Sequence, residues 1–152
     1  MNQDKIIKTI LKFPLWLTLP VAFLGGTLYA AALPPLNWNF AIFIAIIPLI
    51  FIAIIGSWKI RLLAGWLWGL GWSLFAYNFL REIHQAVPYM LAPIISLWPA
   101  VYTLLLGFIA RQVLVNRDFD HKCQLDIPIS GAILYLLSAA ALFTVVEWTR
   151  YY

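Results

Sequence analysis

The sequence predicts an all-α fold: a polytopic integral membrane helix bundle of about five transmembrane helices, forming one membrane domain over residues 1–152. Three observations carry that prediction. Hydrophobic residues make up 64% of the chain and charged residues 11%, whereas a soluble domain covers its surface with about 25% charged residues. Mean hydropathy is +0.89. Finally, the apolar residues fall into five blocks separated by short polar or proline-bearing connections.

A bilayer core about 30 Å thick needs roughly 20 apolar residues of helix. Residues 13–33, 38–58, 62–80, 87–110 and 127–146 meet that requirement. Each must be helical, because hydrocarbon offers no partner to unpaired backbone groups. Pro20, Pro48, Pro93 and Pro99 fall inside these spans and predict kinks, with neighbouring helices satisfying the freed carbonyls.

Alternate connections share a side of the membrane. Lys5, Lys8, Lys12, Lys59, Arg61, Arg111, Arg117 and Lys122 then lie on one side, Arg81 and Arg150 on the other. Positive loops stay inside. The expected topology therefore has a cytoplasmic N-terminus, a cytoplasmic loop at 111–126 and an external C-terminus. A cleavable signal peptide ending near Ala30-Ala31-Ala32 is the rival reading of the N-terminus, but 13–33 exceeds the about 7–15-residue apolar core of such signals.

Composition excludes several function classes. The formal charge of +4 forms no basic stripe, so no nucleic-acid partner is expected. A single cysteine, Cys123, excludes an internal disulfide framework and a multi-cysteine metal site. Of the eight tryptophans, Trp38, Trp58 and Trp148 suit an interfacial belt. Trp66, Trp68, Trp72 and Trp98 lie deeper and are expected to pack between helices or line a cavity.

The motifs have plain readings one by one. Gly65 and Gly69, followed by Gly71, form a small-xxx-small pattern suited to close helix packing. Pro34, Pro35 and Asn37, in LPPLNW, make a tight hairpin connection, with Asn37 fit for a turn or an N-cap. Arg81, Glu82 and His84 solvate a short outer loop. Asp118, Asp120, His121 and Cys123 carry metal-ligand atoms, but no set of three or four ligands with defined geometry, and no metal or cofactor is expected. Glu147 and Arg150 are three apart on one helix face, an interfacial ion pair or a lipid contact beside Trp148.

Their order says more. LPPLNW, an apolar span, AGWLWGLGWSLFAYN, a long proline-bearing span and then VVEWTR resemble the N-terminal membrane region of apolipoprotein N-acyltransferase, over about Leu17 to Arg150. The positions that carry the resemblance are Pro34, Pro35 and Asn37; Gly69, Gly71, Asn78 and Phe79; and Glu147, Trp148 and Arg150. After Phe79 this chain runs Leu80-Arg81-Glu82, where the family continues with aromatic and small polar residues.

The resemblance implies an acyltransferase of lipoprotein biosynthesis in the bacterial cytoplasmic membrane. It moves an acyl chain from phospholipid to a catalytic cysteine, then to the amino group of a diacylated lipoprotein. That chemistry belongs to a nitrilase-like domain with a Glu-Lys-Cys set, which these 152 residues do not contain. The expectation is a membrane part, whether truncated, split or separately encoded, that positions lipid substrates, contributes no catalytic residue and is silent without a nitrilase-like catalytic half. Membrane phospholipids are its expected partners, and the lipoprotein only when that half is present. A small polytopic transporter or lipid-handling protein, or a non-enzymatic membrane scaffold, are the alternatives.

Overall fold

Helices are the one open structure whose backbone polar groups are all satisfied within the segment, which is why an apolar chain of this length takes them. The computed structural model describes residues 15–113 and 129–151, with side chains over 17–113 and 129–145. Its elements are α1 (Leu15–Ala31), α2 (Ala41–Ile55), α3 (Trp58–Ala76), a 3₁₀ segment (Asn78–Glu82), α4 (Val87–Ile95), α5 (Leu97–Val113) and α6 (Ile129–Tyr151). No strand occurs among the described residues. The protein is all-α.

α3 is the central element and packs against α1, α2, α4 and α5, while α6 packs on α5. Small residues make those approaches close. Ala22, Ala45, Ala53, Ala64 and Ala100 are at most 2% exposed. A Cβ on Gly65 would stand 2.6 Å from the Pro99 carbonyl oxygen, and one on Gly69 2.7 Å from Ser96 Cα. Both positions therefore need glycine for the crossing of α3 with the α4–α5 pair.

The large apolar side chains point the other way. Phe43, Ile47, Phe75, Met90, Phe108 and Leu137 are all at least 60% exposed. Small residues inside and bulky hydrocarbon outside is the arrangement of a bundle solvated by lipid, since an apolar surface of that extent is a liability in water. α4 and α5 together form a bent 27-residue helix, Val87–Val113, the one described helix long and apolar enough to cross a membrane by itself. α2, with 15 residues, spans only ~22 Å at 1.5 Å per residue.

The four prolines behave differently from one another. α1 and α2 run unbroken through Pro20 and Pro48. The break falls at Ser96, between Pro93 and Pro99. Pro99 has no N–H to return to the Ile95 carbonyl, and the Ala92 carbonyl accepts both the N–H and the fully buried hydroxyl of Ser96. Indoles from α3 support two of these stretches: Trp68 Nε1 donates to the Ala45 carbonyl (3.0 Å), one turn before Pro48, and Trp66 Nε1 to that of Pro93 (3.0 Å) beside the break.

Trp68 and Trp72 pack inside, at 4% and 5% exposed, but Trp98 is on the surface. The bend turns Ser96, Pro99 and Ala100 inward, so the two residues between them, Leu97 and Trp98, face out.

Candidate functional site

α1 and α3 end, and α2 and α4 begin, at one end of the bundle, so LPPLNW and the 3₁₀ segment share that end. The turn is built from its own residues. Asn37 adopts φ 54°, a left-handed conformation that asparagine tolerates better than most residues. Its amide Nδ2 donates to the Pro35 carbonyl at 3.3 Å. The Asn37 and Trp38 N–H groups return to the Leu33 and Ala31 carbonyls at 3.1 and 3.0 Å, closing the C-terminus of α1. Asn37 thus serves the turn; the residue before α2 is Phe40, with no side-chain cap. Pro34 and Pro35 are exposed, and Trp38 stacks on Phe40 at 6.3 Å, half exposed.

From this end an aromatic file descends into the core. Phe79 meets Tyr77 at 6.4 Å, Tyr77 meets Trp72 at 5.9 Å, and Tyr29 of α1 meets Trp72 at 6.0 Å and Trp68 at 5.0 Å. Such tilted and edge-on pairs add specific geometry to apolar burial. Gly71 makes the file possible, because a Cβ there would collide with the Phe23 carbonyl of α1. Tyr29 belongs to no motif singled out in the sequence, and its spacing to Trp68 and Trp72 exists only across helices; Tyr77 lies within AGWLWGLGWSLFAYN and caps α3 beside Trp72. Below the file, Ser73 and Ser96 form a buried polar pair, Oγ to Oγ 3.5 Å.

Asn78 and Phe79 open the 3₁₀ segment and are exposed. Arg81 donates through Nη2 to the Tyr89 hydroxyl and lies 5.2 Å from the centre of its ring. Glu82 and His84 are exposed, and His84 Nδ1 accepts the Ala86 N–H at 3.2 Å, which serves the start of α4. The rim therefore holds a cation among exposed aromatics: Trp38, Phe40, Phe79 and Tyr89.

Glu147, Trp148 and Arg150 lie in the last turns of α6, and their side chains fall outside the described residues. α6 runs antiparallel to α5, with the Tyr102 hydroxyl donating to the Ala139 carbonyl and its ring meeting Phe143. α6 makes no packing contact with α1, the 3₁₀ segment or α4 among the described residues. The structure thus gathers Pro34, Pro35, Asn37, Asn78 and Phe79 at one end, sets Gly65, Gly69 and Gly71 along the core of α3, and leaves the α6 motif apart.

Among the described residues no three His, Cys, Asp or Glu side chains form a group able to hold a metal ion. Asp118, Asp120, His121 and Cys123 lie outside the described residues, as do the lysines of the first 14. What the described end offers is apolar and aromatic surface with the exposed polar groups of Arg81, Glu82 and His84.

A family model described as the apolipoprotein N-acyltransferase N-terminal domain matches residues 25–152. No curated protein and no solved structure matches the chain significantly.

Proposed function

The chain belongs to the family of apolipoprotein N-acyltransferase N-terminal domains, and from that premise we propose that it is the membrane platform of such an enzyme, holding lipid substrates at the outer face of the bacterial cytoplasmic membrane. The observation that carries the proposal is the rim at the Asn37–Arg81 end. Arg81, exposed beside Tyr89, offers a charged group to a lipid phosphate, while Trp38, Phe40 and Phe79 sit where acyl chains meet headgroups. Both acyl donor and acceptor are lipids, so a platform must present them at a fixed depth. The outward apolar belt lets them enter sideways from the bilayer.

On this reading the N-terminus is cytoplasmic and the rim external, in keeping with the charge distribution of the sequence. Thioester chemistry comes from a nitrilase-like catalytic partner, because covalent transfer needs an activated thiolate with acid–base support. Phospholipid and a diacylated lipoprotein are the substrates. Pro34, Pro35 and Asn37 shape the hairpin, Gly69 and Gly71 pack α3, Asn78 marks the rim, and Glu147, Trp148 and Arg150 contact lipid at the end of α6.

Photo-crosslinking of a diacylated lipopeptide to the protein in liposomes tests the placement. Adducts concentrated in residues 34–40 and 77–89 support it; adducts confined to the opposite end of the bundle refute it.

A further inference from the structure

At the other end of the bundle, where α2 ends, α3 begins, α5 ends and α6 begins, a cation is buried. Arg61 is 4% exposed. One of its guanidinium nitrogens, Nη2, donates to the Ile54 carbonyl at 3.3 Å, at the C-terminus of α2. Among the described residues its Nε–H has no acceptor, nor has the hydroxyl of Tyr135, which is 2% exposed. Among the described residues, Arg111 and Tyr135 are the titratable neighbours whose fields reach Arg61. Gly107 leaves the space the guanidinium fills, for a Cβ there would fall on its Nε and Cζ atoms.

This cluster has two positive charges and two orphaned donors, and no carboxylate pairs with Arg61 among the described residues. Removing a guanidinium from water is costly unless an anion compensates it. Each unmade hydrogen bond of a buried donor adds to that cost. Packing does not explain the arginine either, since its Cβ-to-Cδ stem needs only a leucine-sized site. A tetrahedral oxyanion would answer all of these deficits, with several acceptor oxygens that a guanidinium engages in fork geometry.

We propose that Arg61, Arg111 and Tyr135 form an anion site that takes the phosphate of an anionic phospholipid, at the end of the bundle opposite the acyl-transfer rim. Two observations favour lipid phosphate over free phosphate. Basic pockets between membrane helices are where phosphorylated headgroups bind. In addition, an apolar pocket of about 220 Å³ opens between α1 and α2 at the same end, lined by Thr18, Val21, Ile47, Phe51 and Ile55 among others, and would accept an acyl chain. Lys59, exposed two residues before Arg61, raises the preference for net negative headgroups. This lipid is bound as a structural ligand and is not the acyl donor, so the inference stands apart from the acyl-transfer reading.

The test is native mass spectrometry of the full chain released from nanodiscs of phosphatidylglycerol and phosphatidylcholine in equal amounts, with Arg61→Gln, Arg61→Lys and Arg111→Gln variants. The expected result is about a tenfold enrichment of retained phosphatidylglycerol, corresponding to about 1.4 kcal/mol. Arg61→Gln abolishes it, Arg61→Lys retains part, and Arg111→Gln reduces it. Arg111 is exposed, so its variant decides the matter even if Arg61→Gln does not fold. Equal retention of both lipids by the native chain, or unchanged enrichment in Arg111→Gln and Arg61→Lys, overturns the proposal. A parallel arm adds inorganic phosphate at millimolar concentration to lipid-depleted protein. Thermal stabilisation equal to that by phosphatidylglycerol would assign the site to free phosphate and overturn the lipid.

Discussion

Trp68 of α3 donates its indole N–H to the backbone carbonyl of Ala45 in α2 across 3.0 Å, with both residues buried. That bond ties the central helix to α2 a turn before Pro48, where a proline has weakened the ladder. It also places the Trp68 ring against Tyr29, at the foot of the aromatic file.

Replacing Trp68 by phenylalanine keeps apolar bulk but leaves one fewer donor for Ala45. The expected loss is about 1–2 kcal/mol of stability, read from thermal or denaturant unfolding in detergent micelles. A variant as stable as the native protein would show that the bond contributes nothing.

Gly65 faces the Pro99 carbonyl and Ala100 Cα as well as the Thr103 hydroxyl, so the α3–α5 crossing cannot absorb a methyl group by rotamer changes alone. Gly65→Ala should cost about 1–3 kcal/mol. Leu137→Ala, on a side chain 64% exposed, should stay within about 0.5 kcal/mol. Reversal of that order in an unfolding series contradicts the inside-out packing.

Asn37 occupies the left-handed region, where glycine is free and a β-branched residue is strained. Asn37→Gly should leave stability nearly unchanged, while Asn37→Val should cost about 1–2 kcal/mol. Equal effects in the same unfolding assay would show that the turn is not held in that conformation.

Arg81 projects from the rim, so Arg81→Ala should leave the thermal midpoint unchanged and lower lipopeptide crosslinking severalfold. Loss of stability in parallel with crosslinking would make Arg81 a structural residue instead.

The all-α class was legible because apolar blocks long enough to be helices leave no alternative once water is excluded. What the sequence concealed depends on contacts between helices. Arg61 reads as a loop cation beside Lys59, yet α3 begins at Trp58 and draws Arg61 into its first turns. Its burial is made possible by Gly107, 46 positions further along. Likewise four prolines promised four kinks, but the helix breaks only between Pro93 and Pro99. Two prolines six residues apart weaken the same stretch, and the Ser96 hydroxyl stabilises the bend, whereas α2 is supported at Pro48 by an indole from α3. The rim was half legible: Pro34, Pro35, Asn37 and Asn78 stand out as motif residues, while Tyr29 acquires meaning only when α1 and α3 are brought together.

The central claim is that this chain holds lipid substrates while the covalent chemistry is supplied by a catalytic partner. The measurement that bears on it most directly is acyl transfer from phospholipid to a diacylated lipopeptide in proteoliposomes, with the chain alone, a nitrilase-like catalytic domain alone, and both together. The account predicts turnover only when both are present. Sustained turnover by the chain alone, or turnover by the catalytic domain that the chain does not raise, would contradict it.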